Sequence, residues 1–438
     1  MSRAMNGLAA GETRMILITG RRAPEVPQVL VEQGFEVEIR DGAAPEQAAS
    51  GQVGVEAKGE AEVVVIEGDQ VALQRFLGAG SQVKPRSGRA LRVAFTYNVK
   101  RGIAGDQEAE FDSPRTISAI VEALQGWGYE VVPIEAGPDL PARLDEVAPD
   151  LVFNIAEGWH GRSRESQVPA MLEYRGIPFV GSDSVSIALT LDKVLAKRLV
   201  ASAGLDTPAF QVFRAADEPL NPALTFPLIV KPACEGSSKG IGEGAVVHDE
   251  EALRARVRHL RERYNQPALV EAYISGREFT VAVVGNGAEP CVLPVLEVAF
   301  NEAAGAFPVY SYEIKQEIVA GARYLCPAPI DRELAERLAR RAREVFSALE
   351  LRDLARVDFR LAEDGTIHFL EVNPLPGLTP DYSDVCLIAS AAGLTYQTLV
   401  GHLMRAALTR MGFPEEAMPG VVPLSTLAAG VGLGEAVG

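Results

Sequence analysis

The chain has 438 residues, room for about three domains at ~150 residues each. Lys and Arg total 42 against 59 Asp and Glu, a net charge of −17 with no compensating basic block. That excludes a general nucleic-acid binder, whose affinity rests on clustered Lys and Arg. No apolar run reaches the ~18 residues a bilayer span needs. Met1 to Arg14 has no apolar central stretch, so a secretory leader is not expected and the cytoplasm is the default compartment. Cys234, Cys291, Cys326 and Cys386 are far apart without a C-x-x-C pair, so buried free thiols are expected rather than disulfides or zinc. The histidines are scattered and form no H-E-x-x-H pair.

Met15-Ile-Leu-Ile-Thr19, a helix-like stretch to Gln33, alternation at Glu36 and Glu62-Val-Val-Val-Ile66 predict a small α/β unit. Ser81 to Arg89 reads as a linker. The pattern restarts with strands at Leu91-Arg-Val-Ala-Phe95, Tyr129-Glu-Val-Val-Pro133 and Asp150-Leu-Val-Phe-Asn154. Ser113 before Pro114 is a helix start, because the hydroxyl caps orphan amides and proline suits the first helical position. A mostly parallel sheet covered by helices follows from this alternation. A helix is predicted from Val185 to Ala203, stopped at Gly204. Phe226-Pro-Leu-Ile-Val-Lys231-Pro reads as a buried strand ending in lysine, followed by a helix over Asp249 to Arg263 and strands at Ala268 to Glu271 and Glu278 to Val284. Asp331 to Leu349 has helical apolar spacing on a charged background. Strands at Ala355 to Arg360 and Thr366 to Val372 flank the turn Glu363-Asp-Gly-Thr. The Gly-, Ala- and Pro-rich tail beyond Pro414 is expected to pack loosely.

Two segments carry chemistry. Glu235-Gly-Ser-Ser-Lys-Gly-Ile-Gly-Glu-Gly244 follows a strand-borne lysine but lacks the Walker and G-x-G-x-x-G orders. Such glycines let backbone amides approach a phosphate, and a flexible hairpin tip is the alternative. Asp358 alternates with Arg356 and Arg360, so all three project to one strand face, and Glu371 and Asn373 share a face of the next strand. Two carboxylates and an amide oxygen are hard donors that suit Mg²⁺ bound with phosphates. The alternative is that Asp358 merely pairs with an arginine.

From Leu91 to Arg410 the chain resembles the D-alanine–D-alanine ligases of the ATP-grasp superfamily. The matching motifs, in the family's order, are Leu191-Asp-Lys193, Val230-Lys231-Pro, Glu235-Gly-Ser-Ser238, Val270-Glu271 through Gly276 to Glu278, Ala355-Arg-Val-Asp358 and Leu370-Glu-Val-Asn-Pro374 through Gly377. The resemblance implies an α/β chain, α+β in its ATP-binding part: an ATP-grasp fold preceded by Rossmann-like, pre-ATP-grasp α/β domains. Its implied divisions are an extra N-terminal domain (1–88), a pre-ATP-grasp domain (89–185), small and large ATP-grasp subdomains (186–275 and 276–412) and a tail (413–438).

The resemblance also implies residue roles. Lys193, Lys231 and Lys315 contact the ATP phosphates, with Glu235, Ser237 and Ser238 in the covering loop. Glu271 and the backbone of Ala272, Tyr273 and Ile274 bind adenine, and Glu278 binds ribose. Asp358, Glu371 and Asn373 hold two Mg²⁺ or Mn²⁺ ions. Arg356 and the Gly377 amide stabilise the tetrahedral intermediate. Glu110 matches the carboxylate that receives the substrate ammonium, and His160 the histidine near the first substrate's carboxylate. Glu165 matches an acidic position or pairs with Arg162 or Arg164. Two departures touch the acceptor side: Gln316 stands where the family often has tyrosine, and either Tyr382 or Ser383 matches the serine for the second carboxylate.

The implied activity is ATP-dependent peptide-bond formation between two D-alanines for peptidoglycan, through an acyl phosphate. The substrates are then small amino acids, with neither nucleic acid nor membrane as partner, and a homodimer accords with the family. The rivals are a relative joining other amino acids or a carboxylated small molecule, and a catalytically silent nucleotide-binding module.

Overall fold

The computed structural model describes residues 13–19 and 61–67 as backbone, then 90–103, 106–242, 244–301, 307–309, 322–422 and 424. The chain divides into two compact units, 1–82 and 83–438. In the first, strands β1 (Thr13–Thr19) and β2 (Ala61–Glu67) pair in parallel, Thr13 opposite Ala61. The helix expected up to Gln33 and the strand at Glu36 lie outside the described residues.

The second unit opens with β3 (Arg92–Tyr97), β4 (Glu130–Glu135), β5 (Leu151–Asn154) and β6 (Phe179–Val180), a parallel sheet in the order β4-β3-β5-β6. Helices α1 (Pro114–Gly126), α2 (Leu140–Val147) and α3 (Gln167–Arg175) connect these strands. The Ser113 hydroxyl caps α1, accepting from the Thr116 amide at 3.2 Å.

The single helix expected from Val185 to Ala203 is two, α4 (Ser184–Leu191) and α5 (Lys193–Ser202). Asp192 leaves helical geometry between them and caps α5 through the amides of Val194 and Leu195. Apolar periodicity continues across the break, which hid it. The break places Lys193 at the first turn of a new helix.

Strands β7 (Phe210–Phe213), β8 (Leu228–Pro232), β9 (Val246–Val247) and β10 (Ala268–Ala272) form an antiparallel sheet in the order β7-β10-β8-β9, covered by α6 (Glu250–Tyr264). Phe213, Leu228, Val230 and Val270 pack with Leu253, Val257 and Leu260 of α6 in a core of their own. Strands β11 (Gly276–Gly285), β12 (Cys291–Val292), β13 (Leu296–Phe300), β14 (Ala322–Leu325), β15 (Asp353–Ala362) and β16 (Ile367–Asn373) make the largest sheet, ordered β14-β13-β11-β15-β16 with β12 beside β11. Helices α7 (Arg332–Ala348), α8 (Asp384–Ala391) and α9 (Tyr396–Arg410) complete the unit.

Alternation on β11 and β15 buries both sheet faces. Phe279, Val281, Val357 and Phe359 pack on Leu338, Val345 and Phe346 of α7. Ala282, Val284 and Leu354 pack on the other side, in a core shared with Phe95 and Phe153 of the parallel sheet and Met404 of α9. That second face continues along β15 as Arg356, Asp358 and Arg360. It turns from apolar to charged where the shared core ends.

The start of the tail packs more closely than its composition suggests. Phe413 and Val421 are buried, and the Tyr129 hydroxyl donates to the Ala417 carbonyl at 3.0 Å. All four cysteines are free, Cys234 and Cys386 buried and the other two half-buried. Among the described residues no helix is long and apolar enough to cross a membrane.

Candidate active site

Register brings the charged residues of the large sheet together. Asp358 faces Thr280 on β11 and Glu371 on β16, while Arg356 faces Asn373. Between Asp358 and Phe359 the register shifts, leaving Leu370 as an extra residue on β16. This bulge turns Glu371 toward Asp358, a use to which bulges beside sites are commonly put.

Lys231, Ser238, Glu271, Ala272, Tyr273, Ile274, Glu278, Arg356, Asp358 and Glu371 line one narrow cavity of about 80 Å³, with Arg360 among them. In and around it, cations and carboxylates pair. Arg356 donates Nε and Nη2 to Asp358, the latter at 2.8 Å, and Thr280 Oγ1 donates to Asp358 Oδ1 at 2.9 Å. Lys193 Nζ bridges Glu371 Oε2 (2.8 Å) and the Glu235 carbonyl (2.6 Å). Burial alone raises the Glu371 carboxyl, but Lys193 and then Arg356 outweigh it and hold it below the usual carboxylate range. At Asp358 burial wins over Arg356 and the carboxyl is raised.

At the other end Glu278 pairs with Arg360 at 2.6 Å. Arg360 also donates to the Tyr273 hydroxyl and the Pro308 carbonyl. Glu271 is buried between Lys231 and Lys197, the latter at 2.7 Å. Burial lowers Lys197 to about 8 despite Glu271. Lys315 and Gln316 lie outside the described residues.

Metal fit follows from donor chemistry. Asp358, Glu371 and Asn373 offer two carboxylates and an amide on adjacent strands, and no group of three or more His, Cys, Asp and Glu suited to a metal exists among the described residues. That set is too small for an all-protein cage and fits Mg²⁺, which keeps waters and takes phosphate oxygens.

Glu110 is not free. It accepts from Arg164 Nη2 (2.6 Å), from Lys239 Nζ (3.2 Å) and from the Gly236 amide (2.8 Å). Arg164 and Lys239 also reach Glu235, at 3.2 and 3.0 Å. Burial opposes ionisation of Glu110, but Arg164 and Lys239 prevail and its carboxyl is lowered. The network ties the glycine loop to the turn before α3. Ser237 and Ser238 there adopt left-handed backbone, φ 49° and 56°.

His160 is exposed and its ring contacts Trp159. The more enclosed titratable groups of that turn are instead Glu157, half-buried, and Glu165, buried. Burial first, then neighbouring carboxylates, raise Glu157 well above its ordinary value and Glu165 to about 8. Neither Arg162 nor Arg164 forms an ion pair with Glu165, since Arg162 takes Asp192 at 2.6 Å. A Cβ on Gly377 would meet Ser383 Oγ at 2.9 Å, whereas Tyr382 is 43% exposed. Asp384, which the sequence reading missed, is buried and 3.1 Å from Arg356 Nη1. Lys239 and Glu157 were missed as well, and Arg164 was named only as a partner for Glu165; the charges inside an otherwise glycine-rich turn and loop were the available signal.

Residues 199–405 match the family model described as the D-ala D-ala ligase C-terminus. A D-alanine–D-alanine ligase of Desulforudis audaxviator is 36% identical over 70% of this chain and 97% of its own length. An uncharacterized Sinorhizobium fredii protein, y4sG, is 37% identical over 68% of this chain and 88% of its own. The crystal structure of Bacillus anthracis D-alanine–D-alanine ligase complexed with ATP superposes with a TM-score of 0.59 at 25% identity, covering 74% of this chain and 99% of that one. The chain thus belongs to the D-alanine–D-alanine ligase family, with that family's ATP-grasp fold and ATP-dependent ligase chemistry.

Proposed function

We propose that the chain joins two D-alanines, using ATP and Mg²⁺, with the narrow cavity as its nucleotide and metal site. The observation that carries this reading is the convergence of Lys231, Glu271, Glu278, Arg356, Asp358 and Glu371, from five strands, on one cavity. Phosphoryl transfer asks for positioning and charge neutralisation more than covalent help. Lys193 and Lys231 supply cations for the phosphates, and Ser237 and Ser238 cover them from the glycine loop. Ala272 to Ile274 offer backbone to the adenine ring, and Glu278 a carboxylate to the ribose. Mg²⁺ held by Asp358, Glu371 and Asn373 supplies charge neutralisation for the transferred phosphoryl group.

A D-alanine carboxylate attacks the γ-phosphorus, giving an acyl phosphate and ADP. The amine of the second D-alanine then displaces phosphate. Arg356 and the Gly377 amide face the oxyanion of that step, where fixed donors act most strongly. Of Tyr382 and Ser383, the nearness of Ser383 Oγ to Gly377 supports Ser383 as the group that receives the acceptor's carboxylate. Glu110 orients the donor's ammonium, which must compete there with Arg164 and Lys239. The cavity is narrow for a nucleotide.

The test is phosphate release from ATP and Mg²⁺ with a panel of D- and L-amino acids, D-serine included, and mass determination of the product. D-alanyl-D-alanine is expected. Release that ignores every amino acid offered refutes the reading.

A further inference from the structure

We propose that a second, larger cavity is a binding site for a small, flat dianion, separate from the nucleotide cleft. The cavity encloses about 680 Å³, within the ~300–1,000 Å³ usual for small-molecule sites. Its walls come from the turn at Gly158 to Arg162, the start of α5, the end of β7 and the segment Tyr264 to Pro267. Lys231, Arg356, Asp358 and Glu371 belong to the other cavity. The network of Glu110, Arg164, Glu235 and Lys239 lines the larger cavity, and none of its members lines the other.

Charge bookkeeping identifies the ligand class. Arg162 is matched by Asp192, and Arg164 and Lys239 by Glu110 and Glu235. Arg198 and Arg214 line the same cavity, and neither forms a side-chain ion pair among the described residues. Two unmatched guanidiniums in a chain of net charge −17 reverse the local sign. Each offers a planar fork of donors, the geometry that takes a carboxylate or phosphate in two parallel bonds.

The apolar part of the wall selects shape. Trp159 is 46% exposed, yet its ring is fixed: the indole N–H donates to the Ala136 carbonyl at 2.8 Å and Phe111 meets the ring edge-on at 6.0 Å. A large aromatic held rigid and left accessible is suited to stacking on a planar ligand body. Val194, Leu195 and Val212 continue that apolar surface.

The test uses the full chain without nucleotide, so it stands or falls apart from the ligase reading. Phthalate and phenyl phosphate serve as carboxylate and phosphate probes and uncharged benzamide as control, with saturation-transfer NMR as readout. Both dianions should bind, benzamide should not, and affinity should weaken with added salt. Arg198→Ala with Arg214→Ala should raise the dissociation constant about tenfold or more, while amino-acid-dependent phosphate release stays at the parent level. Trp159→Ala should weaken both probes. Absence of binding, undiminished binding in the double variant, or displacement by D-alanine overturns the proposal, the last because the cavity would then be the donor's own pocket. Preference for one probe identifies the anionic group.

Discussion

Asp384 Oδ2 stands 3.1 Å from Nη1 of Arg356, while Asp358 occupies the Nε and Nη2 edge of the same guanidinium. The two carboxylates fix the plane of Arg356 from different edges, and Tyr324 hydrogen-bonds Asp384 in turn. Both acids are buried, so the arginine stays charged although burial opposes it. On the proposed reading Asp358 gives its charge to metal, which leaves Asp384 as the partner that keeps Arg356 aimed.

Replacing Asp384 by Asn should therefore slow peptide formation more than nucleotide binding. Misplacement of a catalytic group costs up to about 10²-fold in rate, so kcat should fall toward that range while KM for ATP stays near the parent value. The acyl phosphate would wait longer for aminolysis, and water would take a larger share. The check is the ratio of dipeptide to phosphate, which should drop in Asp384→Asn and partly recover in Asp384→Glu. An unchanged ratio with unchanged kcat assigns Asp384 a purely structural part.

Glu371 should be needed for turnover rather than for the fold. It sits half-buried beside the hairpin bulge and takes Lys193 at 2.8 Å. Glu371→Ala removes a proposed metal ligand and leaves Lys193 with only the Glu235 carbonyl of its two partners. Phosphate release at saturating Mg²⁺ should fall by at least about 10²-fold, with far-ultraviolet circular dichroism unchanged. Comparable activity in parent and variant would refute a metal role for this carboxylate.

How much of this was legible beforehand depended on the range of the signal. Period-two alternation put Arg356, Asp358 and Arg360 on one face, and the strand face does carry them into one cavity. The bulge at Leu370 was not legible, because it is a property of pairing and not of either strand. The break at Asp192 was hidden by apolar spacing that suits one helix or two. Glu110 and Arg164 lie 54 positions apart, so no local pattern could report that the expected ammonium ligand already holds a guanidinium. His160 drew notice through its match to the family's histidine near the first substrate's carboxylate. Burial, which separates it from Glu157, is set by packing across the sheet.

The Glu110 contact to the glycine loop makes a steric prediction. A Cβ on Gly236 would lie 2.7 Å from Glu110 Oε1, closer than any real contact, although the offending atom ends a side chain that can move. Gly236→Ala should push Glu110 off the Gly236 amide and cost about 1–3 kcal/mol. KM for the donor amino acid should rise while KM for ATP changes less. Adding Glu110→Asp shortens the side chain and should restore stability but not donor affinity. Equal increases in both KM values would count against a donor-side role for Glu110.

Glu165 gives the pH prediction. Burial, and next the charge of Glu110, hold its carboxyl at about 8, against about 4.3 in an unfolded chain. Between those values the native state keeps a proton that the unfolded state has lost. The stability gained from the neutral form is fully present below about pH 4.3 and is lost as pH rises through 8. Glu165→Gln mimics the neutral form at every pH. Its melting temperature should match the parent near pH 4.5 and exceed it by on the order of a few degrees at pH 8.5. Some parent slope should survive in the variant, since the neighbouring Glu157 is raised in the same way. Thermal unfolding of both proteins across that range checks the sign, and a difference that does not change with pH would show Glu165 to be ionised throughout.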